Sequence, residues 1–159
     1  MTYKTESLSI FAIVIVNQGI NELYTIAFTH RNLSVNDIGL LHIDPENQQD
    51  KLSRLKEKLS IKELMFLSTC NRVEFMIVTE EEVNHAFLLQ FFEELYPDFT
   101  KDKQNNFATI CELHQGMNAV SHQLSVASSL DSMIVGEREI ITQVRSAYEA
   151  SKEMELSGD

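Results

Sequence analysis

Glu63-Leu64-Met65-Phe66-Leu67-Ser68-Thr69-Cys70-Asn71-Arg72-Val73-Glu74-Phe75-Met76-Ile77-Val78-Thr79 is two mostly apolar runs with one short break. Runs of this length, rich in aliphatic and aromatic residues, read as strands, and so brief a break reads as a hairpin. Asn71-Arg72 is not a favoured turn pair, but the gap leaves no room for a longer connection. The hairpin puts Cys70 at the end of the first strand. A thiol at an exposed strand end can meet a substrate, and Arg72 beside it can lower the thiol pKa and hold an anion. A free cysteine can equally be a small buried apolar residue, and these residues alone leave both readings open.

Working outward, residues 22–29 read as a strand, and His30-Arg31-Asn32 opens a loop. Asp44-Pro45-Glu46 starts a helix, with a cap, a proline at the first position and an acid in the first turn. Leu52, Leu55 and Leu59 continue it as one apolar stripe. After the hairpin, Thr79 is expected to cap a helix opening on Glu80-Glu81-Glu82, with Val83, Phe87, Phe91 and Leu95 as its buried stripe. Residues 100–106 read as a polar loop and 107–113 as a strand that buries Cys111. The order strand, helix, strand, strand, helix, strand predicts an α+β, ferredoxin-like split βαβ fold, an antiparallel sheet with helices on one face. Two C-terminal helices should follow, from about Gly116 to Ala127 and from about Gly136 onward, the last being the start of a long linker helix. Residues 8–16 are rich in β-branched residues and suggest an extra edge strand within an N-terminal extension, residues 1–21.

With 159 residues, 43% apolar and 23% charged, the chain suits a globular domain with a sizeable core. The run from Leu8 to Val16 is too short to span a bilayer. Two cysteines make no disulfide framework, so a cytoplasmic setting is expected. A net charge of −11 argues against a broad nucleic-acid-binding face, though not against a small basic spot. Cys70, Cys111, His114 and His122 contain only half a zinc motif, and no metal is expected. His30, His42 and His85 read as surface or cap residues.

Two segments are unusually polar for their position: Ser68 to Arg72, and His122 to Gln143. If they converge, a thiol meets an imidazole, hydroxyls, a carboxylate and an amide, a set able to attack an acyl carbon. A Cys70–His122 hydrolase or acyltransferase, or a non-enzymatic ferredoxin-like binding module, are alternatives.

Ser68-Thr69-Cys70-Asn71-Arg72-Val73-Glu74, then Val126-Ala127-Ser128-Ser129-Leu130-Asp131-Ser132-Met133-Ile134-Val135-Gly136-Glu137, then Gln143-Val144-Arg145-Ser146-Ala147-Tyr148, together resemble the ordered blocks of the glutamyl-tRNA reductases. The resemblance spans about residues 22–159 and is to the N-terminal catalytic domain. It implies an oxidoreductase of tetrapyrrole (porphyrin) biosynthesis. Such an enzyme reduces the glutamyl ester of tRNA-Glu to glutamate-1-semialdehyde with NADPH, through a cysteine thioester. Cys70 matches the nucleophile, and His122 a histidine needed for activity. Thr69, Asn71, Arg72, Ser132, Glu137, Arg138, Glu139 and Gln143 match the glutamate pocket. A homodimer of the longer protein and channelling of product to glutamate-1-semialdehyde aminomutase are implied partners. Ala27, Ser34, Ser129 and Glu139 depart from the commoner Gly, Pro, Gly and Gln. No G-x-G-x-x-G follows a strand, and Gly19, Gly39, Gly116, Gly136 and Gly158 are scattered. The NADPH and dimerisation domains are therefore expected outside this chain.

Overall fold

The computed structural model describes residues 19–128 and 139–158. The suggested strand at 8–16 and the site candidates Ser132, Glu137 and Arg138 lie outside them, as does Ser129. The side chain of Glu139 is likewise not described.

The sheet is antiparallel, with strands β1 (Leu23–Thr29), β2 (Glu63–Ser68), β3 (Arg72–Val78) and β4 (Glu112–Gln115) in the order β2-β3-β1-β4. This is the split βαβ arrangement: β2 and β3 form the hairpin, and β3 inserts between β2 and β1. Helices α1 (Val35–Leu40) and α2 (Pro45–Lys58) connect β1 to β2, and α3 (His85–Leu95) and α4 (Lys101–Ile110) connect β3 to β4. Helices α5 (Met117–Ala127) and α6 (Glu139–Glu153) follow.

Side chains alternate across each strand, so the two faces have separate cores. Tyr24, Ile26, Phe28, Leu64, Phe66, Phe75 and Ile77 meet the stripes of α2, α3 and α4. Phe91 lies edge-on to Phe75 and Phe92, at centroid distances of 4.9 and 5.3 Å. On the other face Leu23, Met65, Leu67, Met76 and Val78 meet Ala119 and Val126 of α5 and Ile140 and Val144 of α6. The C-terminal helices thus cover the face that the split βαβ unit leaves open. That double cover explains why β1 and β3 are buried along their whole length.

Four local expectations are corrected. Residues 30–43 are not only a loop: Ser34 accepts from the Asp37 amide and caps α1. A serine supplies that cap where a proline has no hydroxyl to do so. Thr79 does not start α3, because Glu80 is drawn onto Lys62 and the apolar stripe begins later. Asn84 caps α3 instead, accepting from the Phe87 amide at 3.0 Å. Residues 100–106 are not a loop but the first turns of α4, capped by Thr100. Its buried stripe of Gln104, Phe107 and Ala108 is too narrow to stand out in the sequence. The strand predicted at 107–113 shrinks to Glu112–Gln115, and Cys111 sits at the C-cap of α4, half-buried.

Phe91→Ala should cost about 3–5 kcal/mol, since it empties a fully buried site among three rings. Urea unfolding monitored by far-UV circular dichroism measures it.

Candidate active site

The Thr69 amide donates to the Arg72 carbonyl at 2.9 Å and closes the β2–β3 turn. Cys70 and Asn71 are its two central residues, rather than the Asn71-Arg72 pair suggested by the apolar pattern. Arg72 belongs to β3, where it pairs with Thr29 of β1. The turn is braced by its own side chains: the Thr69 hydroxyl donates to Asn71 Oδ1 at 3.1 Å and accepts from the Asn71 amide at 3.4 Å. Cys70 is left exposed.

Arg72 and Glu74 are two residues apart on β3, so both side chains point to the face covered by α5. They are 2% and 1% exposed. Arg72 Nη1 donates to Glu74 Oε1 in a short contact. His122 Nε2 lies 3.0 Å from the same oxygen, and Gln123 Nε2 donates to Glu74 Oε2 at 3.0 Å. Gln123 Nε2 also reaches Thr25 Oγ1 at 3.3 Å. One carboxylate therefore ties β3 to two successive residues of α5. Burial alone would push the Glu74 carboxyl up. The hydrogen bond and charge of His122, joined by those of Arg72, outweigh this and hold it below the usual carboxylate range.

Strand register brings in β4. Ala27 lies between Glu74 of β3 and Glu112 of β4, and Thr25 lies opposite His114. The His114 ring stacks on that of His122, with centroids 4.2 Å apart and planes 16° apart. His114 Nε2 stands 3.4 Å from Glu112 Oε2, and Arg31 Nε 3.7 Å from Glu112 Oε1. Burial, then the charge of His122, holds His114 below the ordinary histidine range against the pull of Glu112 and Glu74.

Of the sequence candidates, Thr69, Cys70 and Asn71 make the turn, and Arg72 and His122 meet through Glu74. Gln143 lines a cleft of about 270 Å³ with Ser68, His42 and Ser146, where α6 passes the hairpin. His42 Nδ1 is 3.1 Å from Ser68 Oγ, and this histidine is at the surface, as expected, on the wall of that cleft. Sequence reading gave Glu74, Glu112 and Gln123 no role. The only local signal for Glu74 was a carboxylate inside an apolar strand, two residues from an arginine.

Glu112, His114 and His122 have potential ligand atoms within 4.8 Å of one another. A metal ion must lie in the plane of each imidazole that binds it, and two nearly parallel rings cannot share one ion without rotating apart. Their present geometry is that of a stacked pair.

Residues 26–159 match the family model described as the N-terminal domain of glutamyl-tRNA-Glu reductase. The chain belongs to the glutamyl-tRNA reductase N-terminal domain family. It is 35% identical over 133 residues to the glutamyl-tRNA reductase of Maridesulfovibrio salexigens, covering 84% of this chain and 29% of that protein. The Campylobacter curvus glutamyl-tRNA reductase is 32% identical over 135 residues, covering 84% of this chain and 31% of that protein. The chain thus spans about three-tenths of the length of these curated relatives. Its fold is shared with glutamyl-tRNA reductase from Methanopyrus kandleri, with a TM-score of 0.64 at 21% identity, over 87% of this chain and 30% of that one. Within this glutamyl-tRNA reductase domain, the hairpin and α5 carry the buried network.

Glu74→Gln should destabilise the chain by about 3–5 kcal/mol, because the Arg72 charge loses its buried anion. The acid side of the stability curve should also flatten. The folded carboxyl resists protons that the unfolded chain accepts, so its contribution is present above the unfolded value of about 4.3 and is lost as pH falls through the folded one. Urea titrations of wild type and variant between neutral and acidic pH read both effects.

Proposed function

We propose that this chain is the acyl-transfer domain of a cytoplasmic glutamyl-tRNA reductase. The Cys70 sulfur attacks the glutamyl ester carbonyl of glutamyl-tRNA, an S–C bond forms, and the C–O bond to the terminal ribose breaks. The thiol proton passes to His122 and from there to the leaving ribose oxygen, so the products are a glutamyl thioester and free tRNA. The observation that carries this reading is an exposed thiol on a braced turn, rooted through Arg72 in a network that ends on His122. Glu74 favours the protonated imidazole, which helps His122 receive the proton and hold it until the oxygen leaves.

Thr69, Asn71, Arg72, Ser132, Glu137, Arg138, Glu139 and Gln143 form the proposed glutamate pocket. Arg72 is a planar fork suited to a carboxylate, and its contact with Glu74 fixes the plane of that fork. Glu137 or Glu139 would take the ammonium. A sulfur ester accepts hydride more readily than an oxygen ester, so the captured glutamyl group is primed for reduction to glutamate-1-semialdehyde. NADPH is the reductant this reading requires, but the residues present do not fit it. The strands described are all antiparallel, whereas dinucleotides bind at the ends of parallel strands beside a glycine-rich turn. No hydride step is assigned to this chain. Homodimer formation and transfer of the aldehyde to glutamate-1-semialdehyde aminomutase belong, in this reading, to the longer protein.

Intact-mass analysis after incubation with glutamyl-tRNA should show one glutamyl adduct, mapped to Cys70 and lost in Cys70→Ser. An adduct on Cys111, or none, would overturn the assignment. Iodoacetamide should alkylate Cys70 well before Cys111, whose half-buried thiol is pushed up to about 11.

A further inference from the structure

We infer that His114 is a positioning residue of this site, a second imidazole that sets the proton load of His122. The titration part of the inference rests on geometry. Its kinetic part rests on the acyl-transfer reading.

The stack follows from a reversal built into the sequence. β4 ends at Gln115, and Gly116 turns the chain directly into α5 with a φ of 60°, a conformation natural to glycine. The Gly116 amide donates to the Leu23 carbonyl at 2.9 Å and pins the turn to β1. Within the first two turns of that helix His122 lies back over His114, ring on ring. An aromatic filler would give the same stack. Two titratable rings in contact give something more, because like charges at this separation oppose each other strongly.

The groups around the pair are arranged as a row. From β3 come Glu74 and, behind it, Arg72; from β4 comes Glu112, and from the loop after β1 Arg31 behind it. Among the described residues, β1 and α5 add the uncharged Thr25 and Gln123. One proton on the imidazole pair lies between two carboxylates and is stabilised by both. A second would put two cations in contact. The pair therefore carries at most one proton through the neutral range. That proton resides on His122, whose Nε2 bonds a fully buried carboxylate at 3.0 Å, and not on His114, which stands 3.4 Å from a partly exposed one. Once it holds the thiol proton, His122 has that proton ready for the leaving oxygen. His114 keeps the site in that singly protonated form until acid forces in the second proton.

The test combines imidazole NMR titration of the whole chain with the pH profile of glutamyl transfer to Cys70, in wild type, His114→Phe, His114→Gln and His122→Phe. Two linked steps are expected in wild type, the lower one belonging to His114. His122→Phe keeps a ring in place and should raise the His114 step toward the ordinary histidine range. His114→Phe and His114→Gln should both remove the lower step and extend transfer to more acidic pH. A His114 step unmoved in His122→Phe, or a His114→Phe profile superimposing on wild type, would overturn the inference and leave His114 as packing. Absence of any adduct in wild type would instead remove the acyl-transfer reading, with the titrations still deciding whether the rings are coupled.

Discussion

A single buried carboxylate organises this molecule. Glu74 sits on the central hairpin strand at 1% exposure, where an unpaired charge would be prohibitive. It is tolerated because Arg72, His122 and Gln123 all reach it, from one strand and one helix. Such an arrangement works only when β3 and α5 are in a single relative register. A one-residue slip of β3 would turn Glu74 toward the phenylalanine core. The network is thus weak evidence for net stability, since buried ion pairs rarely exceed their desolvation cost. Its stronger consequence is that it selects one placement of α5 over the sheet.

The two faces of the sheet divide the labour. The face under α2, α3 and α4 is apolar, filled by Phe28, Phe66, Phe75, Phe91, Phe92 and Phe107 in edge-to-face and tilted contacts. The opposite face is mixed: Leu23, Met65 and Met76 pack normally, while Thr25, Glu74 and His114 stand in the same layer. The first core supplies the stability that lets the second carry charge. Ala27 shows the close fit of the polar layer. It lies between Glu74 and Glu112 across the strands, and is fully buried. Its small side chain keeps two like charges on separate strands without filling the space that α5 needs.

Much of this was legible in the sequence, and the failures have causes. The hairpin was readable from its two apolar runs, and α2 from its leucine stripe behind Asp44-Pro45-Glu46. α1 and α4 were hidden because each is short or mostly polar, and contact with the sheet, not intrinsic pattern, makes them helical. The start of α3 was misplaced because three glutamates imitate a first turn, while Lys62, eighteen residues earlier on the other side of the hairpin, claims Glu80. In the site, Cys70, Arg72 and His122 could be named from residue type and motif. Glu112 and His114 could not be joined to them, since only strand register across β1 brings residues 74, 112 and 114 side by side. Spacing along a chain does not encode which strand lies in the middle.

The same register accounts for the different standing of the two cysteines. Cys111 caps α4 against the aromatic core, its sulfur pointing to the Ala108 carbonyl, and burial suppresses its ionisation. Cys70 occupies the one place on the hairpin that the sheet does not cover, yet its neighbour Arg72 is among the most buried side chains present. A side chain at a turn is normally mobile, and mobility dilutes the effect of any placement. Here the turn closes on the backbone of a residue whose guanidinium is locked under α5. Exposure of the sulfur and rigidity of its support are therefore supplied by adjacent residues.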